Sequence, residues 1–332
     1  MTPPPTPPTL LVLRALGLGD LLTAVPALRA LRAHYPDHHI VLAAPAALRG
    51  LVGLIDAVDE LLPTSDLDSL VWAGPPPEIA VNLHGAGPES IWALQTLRPA
   101  RLISHGHPAC PKITGPAWVP DAHDVHRWCR LLAEFGIWAD PTDLELPVPP
   151  TPSPAPGAVV MHPGAAFGAR RWPPARYSAV ARALSALGQR VVITGDPNER
   201  HLGRMVGQMA NLPRDAVLSG RTDLRQLAAL VANARLVVCG DTGVAHLATA
   251  YCTPSVSLFG PVSPQQWGPP QDRPWHTVLW AGETGDTFAD EPAAGLLKIT
   301  PADVTRAAGA LLARSALHAG SGVRGAHWLG FG

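Results

Sequence analysis

Residues 236–250, LVVCGDTGVAHLATA, set polar chemistry between two apolar segments. An apolar run enters and an apolar helical pattern leaves. Between them stand Asp241, Thr242 and Gly243, with His246 one turn on. The first N–H groups of a helix have no internal partner and sit at the positive end of its dipole. That position binds anions, and phosphate suits it. Thr242 adds a hydroxyl donor, Gly243 admits a ligand to the backbone, and His246 falls within reach of the same anion. The competing reading is a plain helix cap, with Asp241 or Thr242 accepting from the first turn. A second stretch, HPGAAFGARRWPP at 162–174, places Arg170 and Arg171 after a loop of small residues. A guanidinium pairs with phosphate through two parallel hydrogen bonds. The alternative there is a solvated basic pair beside a packed tryptophan.

A third stretch, Gly17-Leu18-Gly19-Asp20, begins like a dinucleotide fingerprint. Leu22 stands where the third glycine belongs, and the next strand ends without an acidic residue to hold ribose. Both departures argue against a nicotinamide enzyme. A carboxylate at a strand end, such as Asp20, is instead placed to act as a general base. It is equally placed to cap a helix.

These motifs need elements to hold them. LLVLRAL (10–16) reads as a buried strand and 17–20 as a turn. LLTAVPALRALRAHYP then reads as a helix, with Leu21, Leu22, Val25, Leu28 and Leu31 at helical spacing. HIVLAAP, AALRGLVGLI and EIAVNLHG continue as strand, helix and strand-turn. PVPPTPSPAPG (147–157) holds six prolines and reads as a stiff linker. The alternation then restarts with AVVMHPG and runs through PARYSAVARALSALG, RVVITGD, NERHLGRMVGQMA, RLVVCGD, VAHLATAY and SVSLFGP to a last helix, PADVTRAAGALLARSALH. Strand–helix alternation predicts an α/β protein with two doubly wound, Rossmann-like domains. The expected divisions are a proline-rich leader at 1–9, a first domain at 10–146, the linker, a second domain at 158–318 and a flexible glycine-rich tail at 319–332. Open parallel sheets bind ligands at the carboxyl ends of their strands. The site is therefore expected in a cleft faced by both domains.

Composition narrows the class. The chain has 332 residues, more than a single core usually supports. It is 47% apolar and 15% charged, as in a soluble globular protein. A net charge of −1, without a basic stripe interleaved with aromatics, argues against nucleic acid. Cys110, Cys129, Cys239 and Cys252 lack C-x-x-C spacing and read as free thiols. The histidines have no cysteine or glutamate partners at ligand spacing, so no metal site is expected. No signal-peptide pattern and no apolar run of 18 residues occurs, so a cytoplasmic protein is expected, with peripheral membrane contact left open.

Taken together, the sequence resembles glycosyltransferase family 9, the ADP-heptose-dependent heptosyltransferases and their relatives. Five stretches carry the resemblance over most of 10–270: LRALGLGDLLTAVPALRALRAHYP, DAHDVHRWCRLLAEFG, MHPGAAFGARRWPPARY, VVITGDPNE and CGDTGVAHLATAYCTPSVSLFGPVSPQQWGPP. The resemblance implies a GT-B fold, with the acceptor on the first Rossmann-like domain and the nucleotide sugar on the second. It implies an inverting sugar transfer to a hydroxyl, the sugar being heptose from ADP-heptose, with no cofactor beyond that donor. Asp20 becomes the catalytic base. Arg170 stands where the family commonly has a phosphate-binding lysine. Asp241, Thr242, Gly243 and His246 match the nucleotide-diphosphate site, and Asp196 and Glu199 of GDPNE lie where the nucleoside is held. Arg170 supplies the positive charge a metal would bring, and Asp241 is the only carboxylate in 236–250, so metal-independent transfer is expected.

Two other readings keep the same architecture. One is a nucleotide-sugar epimerase, which needs no acceptor; the other is a non-catalytic nucleotide-sugar-binding protein, which the presence of Asp20 beside the phosphate set argues against. The charge division bears on the acceptor. Residues 1–150 hold nine basic and fifteen acidic side chains, a balance of −6; residues 151–332 hold sixteen and eleven, a balance of +5. A large field of one sign disfavours ligands of that sign. The acceptor is thus expected to be a glycan or small molecule that is not strongly anionic.

Overall fold

The computed structural model describes residues 7–320. Residues 1–6 of the expected leader and 321–332 of the expected tail lie outside the described residues. The chain forms two compact units. The division falls between Thr151 and Pro152, but residues 249–251 and 265–270 cluster with the first unit, which the sequence pattern did not indicate.

The first unit carries β1 (Thr9–Leu13), α1 (Leu18–Thr23), α2 (Val25–His34), β2 (His39–Ala44), α3 (Arg49–Val52), β3 (Glu60–Pro63), β4 (Ile79–Asn82), α4 (Glu89–Thr96), β5 (Arg101–Ile103) and α5 (Asp124–Glu134). Its five strands are parallel in the order β3-β2-β1-β4-β5. Leu10 to Leu13 are fully buried, because a central parallel strand is covered on both faces and so reads as a continuous apolar run.

The rest of the chain forms β6 (Val159–His162), α6 (Pro174–Ala186), β7 (Val191–Ile193), α7 (Arg200–Met209), α8 (Leu224–Ala232), β8 (Leu236–Gly240), α9 (Gly243–Ala250), β9 (Ser255–Leu258), α10 (Pro264–Trp267), β10 (His276–Leu279), α11 (Ala294–Lys298) and α12 (Pro301–Gly320); all belong to the second unit except the end of α9 and most of α10, which cluster with the first. The second unit's strands are also parallel, in the order β10-β9-β8-β6-β7. Trp172, Tyr177, Val304 and Leu311 pack with the strands in its core.

The expected α/β architecture of two doubly wound sheets is therefore observed. One local expectation is corrected. Residues 17–20 are not a free turn: α1 begins at Leu18, with Gly17 extended as its cap. The single long helix expected after it is broken at Ala24, between α1 and α2. Pro26 lies in the first turn of α2 and has no N–H to continue the α1 ladder.

Strand order also says where ligands bind. In the first sheet the chain passes from β1 to β2 on one side and returns to β4 on the other. In the second it passes from β6 to β7 and returns to β8. The carboxyl ends of β1/β4 and of β6/β8 are thus the switch points where open sheets hold ligands.

Candidate active site

Asp20 lies in the first turn of α1, directly after β1. Its Oδ2 accepts the Gly17 N–H at 3.1 Å, which satisfies the N-cap amide of α1 and holds the side chain. Its Oδ1 lies 3.6 Å from Arg14 Nη2, and 28% of the side chain remains exposed. Arg14, only 1% exposed, organises the surroundings. Its Nε donates to the Asp20 carbonyl at 2.7 Å, Nη1 donates to the Leu83 carbonyl at the end of β4, and Nη2 donates to Thr23 Oγ1 at 3.1 Å. Nη2 also donates to Asp124 Oδ2 at 2.6 Å.

Asp124 begins α5 and is buried. Its Oδ2 also accepts from Thr23 Oγ1 at 2.7 Å and from Trp128 Nε1 at 3.0 Å, while Oδ1 accepts from Arg127 Nη1 at 3.0 Å. The Arg14 guanidinium lies 4.7 Å from the Trp128 ring centroid and that of Arg127 lies 4.1 Å from Trp118.

The two carboxylates are driven apart. Burial raises Asp20 above the usual aspartate value; Arg14 opposes this and the negative charge of Asp124 adds to it. Burial would also raise Asp124, but Arg14, Thr23, Trp128 and Arg127 together bring it below the usual value. Such a split separates a proton acceptor from a fixed charge. His84, just past β4, is pushed below the usual histidine value by burial and by Arg14.

The second set lies at the other switch point. Asp241 is 6% exposed and its N–H donates to the Leu258 carbonyl at 3.1 Å. Arg170 ends a short 3-10 turn, Gly168–Arg170, and its Nη1 lies 3.9 Å from Asp241 Oδ2. The Arg170 backbone approaches closely: a Cβ on Gly240 would lie 3.1 Å from the Arg170 carbonyl oxygen. Gly168 is more constrained, since a Cβ there would lie 1.5 Å from the Asp290 carbonyl oxygen. Thr242 and Gly243 open α9, both half-buried, and His246 is half-buried one turn later. Arg170 Nε is buried without a hydrogen-bond partner, a donor left for a ligand at this end of the sheet.

Asp196 and Glu199 follow β7. Asp196 Oδ1 accepts the N–H groups of Asn198 at 2.7 Å and Glu199 at 2.9 Å. Glu199 Oε2 accepts the Asp196 N–H at 2.8 Å. Glu199 also packs on Gly164 in the β6 loop, where a Cβ would lie 1.8 Å from Oε1. The structure thus gathers Arg170, Asp241, Thr242 and Gly243 at the ends of β6 and β8, with Glu199 against the same β6 loop. Asp20 stands in the other unit.

Sequence reasoning missed Thr23, Asp124, Arg127 and Trp128 as site residues, and assigned Arg14 only to the first strand. One signal was available. An acidic residue opening an amphipathic helix, with Arg127 and Trp128 three and four places on, puts a guanidinium and an indole over one carboxylate. No group of three or more His, Cys, Asp or Glu side chains able to hold a metal ion occurs among the described residues.

Comparison with known proteins gives consistent matches. The family model described as glycosyltransferase family 9 (heptosyltransferase) matches residues 117–290, a span that includes Asp124 and the Arg170 and Asp241 loops but not Asp20. The chain is 27% identical over 291 residues to lipopolysaccharide heptosyltransferase 2 of Salmonella typhimurium, covering 77% of this chain and 83% of that one. It is 35% identical over 127 residues to lipooligosaccharide heptosyltransferase 2 of Haemophilus influenzae, a match spanning 36% of each chain. The solved structure of E. coli ADP-heptose LPS heptosyltransferase II covers 93% of this chain and 99% of its own, with a TM-score of 0.73 at 23% identity. That likeness establishes the GT-B fold.

Proposed function

The chain belongs to glycosyltransferase family 9, the heptosyltransferases, and from that membership we propose that it moves a heptose from ADP-heptose to a hydroxyl group of a glycan or small-molecule acceptor. The family, rather than the fold, favours transfer over an epimerase or a silent binding protein. The donor follows from the E. coli relative, whose name specifies ADP-heptose.

In the proposed reaction the acceptor hydroxyl attacks the anomeric carbon while Asp20 takes its proton. The bond from that carbon to the diphosphate oxygen breaks, and ADP departs. One base and one displacement invert the anomeric centre; retention through a covalent intermediate would require a second carboxylate as nucleophile. The observation that carries this role is the opposite drive on two linked carboxylates: Asp20 made more basic, Asp124 held ionised. Arg14, anchored by Asp124, orients Asp20.

The departing diphosphate gains negative charge, which donors fixed in advance stabilise. Arg170, the Thr242 hydroxyl, the Gly243 amide and His246 fill that role, and Asp241 holds Arg170. Of the two acidic residues after β7, Asp196 is engaged by two backbone amides, so Glu199 is assigned to the nucleoside. Because Arg170 supplies positive charge, the proposed transfer needs no metal. The four cysteines are free, which suits a reducing cytoplasmic setting.

A screen of ADP-, UDP-, GDP- and dTDP-sugars in the presence of EDTA tests this reading. Binding and turnover of ADP-heptose are expected. Preference for another nucleotide, conversion without an acceptor, or loss of activity restored by Mg²⁺ or Mn²⁺ would each overturn the corresponding part.

A further inference from the structure

The surplus positive charge of the second half is not confined to the diphosphate loops. Gly203 and Gly207 are one turn apart on α7. A Cβ at Gly203 would lie 2.1 Å from Ser219 Oγ, and one at Gly207 would lie 2.6 Å from Val217 Cγ2. The two glycines therefore let α7 press onto the 217–219 segment, which bridges to β7 at the sheet edge. Arg200 and Arg204, four residues apart on α7, share one face of the helix. Arg214 and Arg221 come from the segment after α7. Between them runs a groove of about 560 Å³ with Leu212 on its lining.

Four guanidinium groups thus line one concavity with no carboxylate among its lining residues. None of the four forms an ion pair among the described residues. Two are tethered by backbone carbonyls: Arg200 Nη2 donates to Gly220 O at 2.6 Å and Arg221 Nη1 to Val217 O at 3.5 Å. Arg204 and Arg214 are exposed. Ser219, 3% exposed, lines the same groove and its Oγ has no hydrogen-bond partner. A buried hydroxyl without a partner is costly, and four uncompensated like charges repel one another. That repulsion is relieved by an anionic ligand.

We propose that this groove is a second anion site that binds a multiply charged phosphate compound, separate from the donor diphosphate site. Guanidinium groups grip phosphate oxygens in pairs, and Leu212 and Val217 give an apolar wall. The volume falls within the roughly 300–1,000 Å³ of small-molecule pockets. The groove shares no lining residue with the Arg170 and Asp241 loops.

The test titrates inorganic tripolyphosphate into the full chain, with calorimetry and the thermal midpoint as readouts. The variants are Arg204→Glu/Arg214→Glu, both on the exposed rim, and Arg170→Ala; ADP binding reports that the double variant is folded. With the donor site filled by saturating ADP, tripolyphosphate is expected to bind the wild type and to weaken about tenfold or more in the double variant, while Arg170→Ala leaves this groove-dependent binding in place. Sedimentation with phosphatidylcholine vesicles, with and without phosphatidylglycerol, separates the sources. Groove-dependent binding to the acidic vesicles assigns the phosphate to a lipid headgroup; groove-dependent binding of tripolyphosphate without vesicle binding assigns it to a soluble compound. Absence of any groove-dependent binding, or loss of tripolyphosphate binding through Arg170→Ala alone, overturns the proposal.

Discussion

Burial pushes both Asp20 and Asp124 up, yet Asp124 ends below the usual aspartate value and Asp20 above it, because Asp124 receives more donors. Asp124 accepts from Arg14, Thr23, Trp128 and Arg127, whereas the Asp20 side chain accepts the Gly17 N–H and stands 3.6 Å from Arg14. If Asp20 is the base, it must be ionised to act. The rate kcat/KM should therefore fall as pH drops through its raised value, placing the acid limb above the usual aspartate range. Asp124→Asn removes a like charge and frees Arg14, and both changes lower Asp20. The acid limb is expected to move to lower pH in this variant. Breaking the buried pair should also cost about 3–5 kcal/mol in stability, read by denaturant unfolding. An acid limb that stays in place or rises contradicts the assigned linkage. This network was barely legible in the sequence, because Asp124 lies 110 residues from Arg14 and only folding brings them within 2.6 Å.

Elements differ in how clearly the sequence announces them. Central strands such as β1, β6 and β8 are mostly apolar and were read directly. β3, β5 and β10 were not, because they are edge strands of three or four residues with mixed exposure. The start of α1 at Leu18 was also missed, since its cap signal is a glycine and the stabilising carboxylate lies three residues later. The loops proposed to hold the diphosphate were legible as a small-residue pattern, but the reason for their glycines was not. Gly168 packs on the Asp290 backbone, two residues before Arg170 at the end of the same turn. Gly168→Ala is expected to displace the loop, weaken ADP binding and destabilise the protein by about 1–3 kcal/mol. Unchanged ADP affinity in calorimetry would show that the close packing does not position Arg170.

At the scale of the molecule, the doubled strand–helix alternation was enough to give two sheets, while the return of 249–251 and 265–270 to the first unit depends on tertiary contacts that periodicity does not encode. The charge division can now be placed on residues. Around Asp20, the charges of Arg14 and Arg127 balance those of Asp20 and Asp124, and Arg29 and Arg32 are engaged by Asp143 and Asp59. The Arg14–Asp124 network therefore carries no net positive charge to offer an anionic acceptor. A neutral glycoside is expected to be used with kcat/KM about tenfold above that of its phosphorylated counterpart, a difference within the reach of one nearby like charge. Preference for the phosphorylated one would point to basic residues elsewhere on this unit. The division of labour itself is tested by measuring ADP affinity and sugar transfer side by side for Asp20→Asn. The carboxamide fills the same space but cannot accept the proton, so ADP should bind as in the wild type while transfer falls by about 10²–10⁴-fold. Transfer at the wild-type rate, or a loss of ADP affinity that accounts for the defect, would contradict Asp20 as the base.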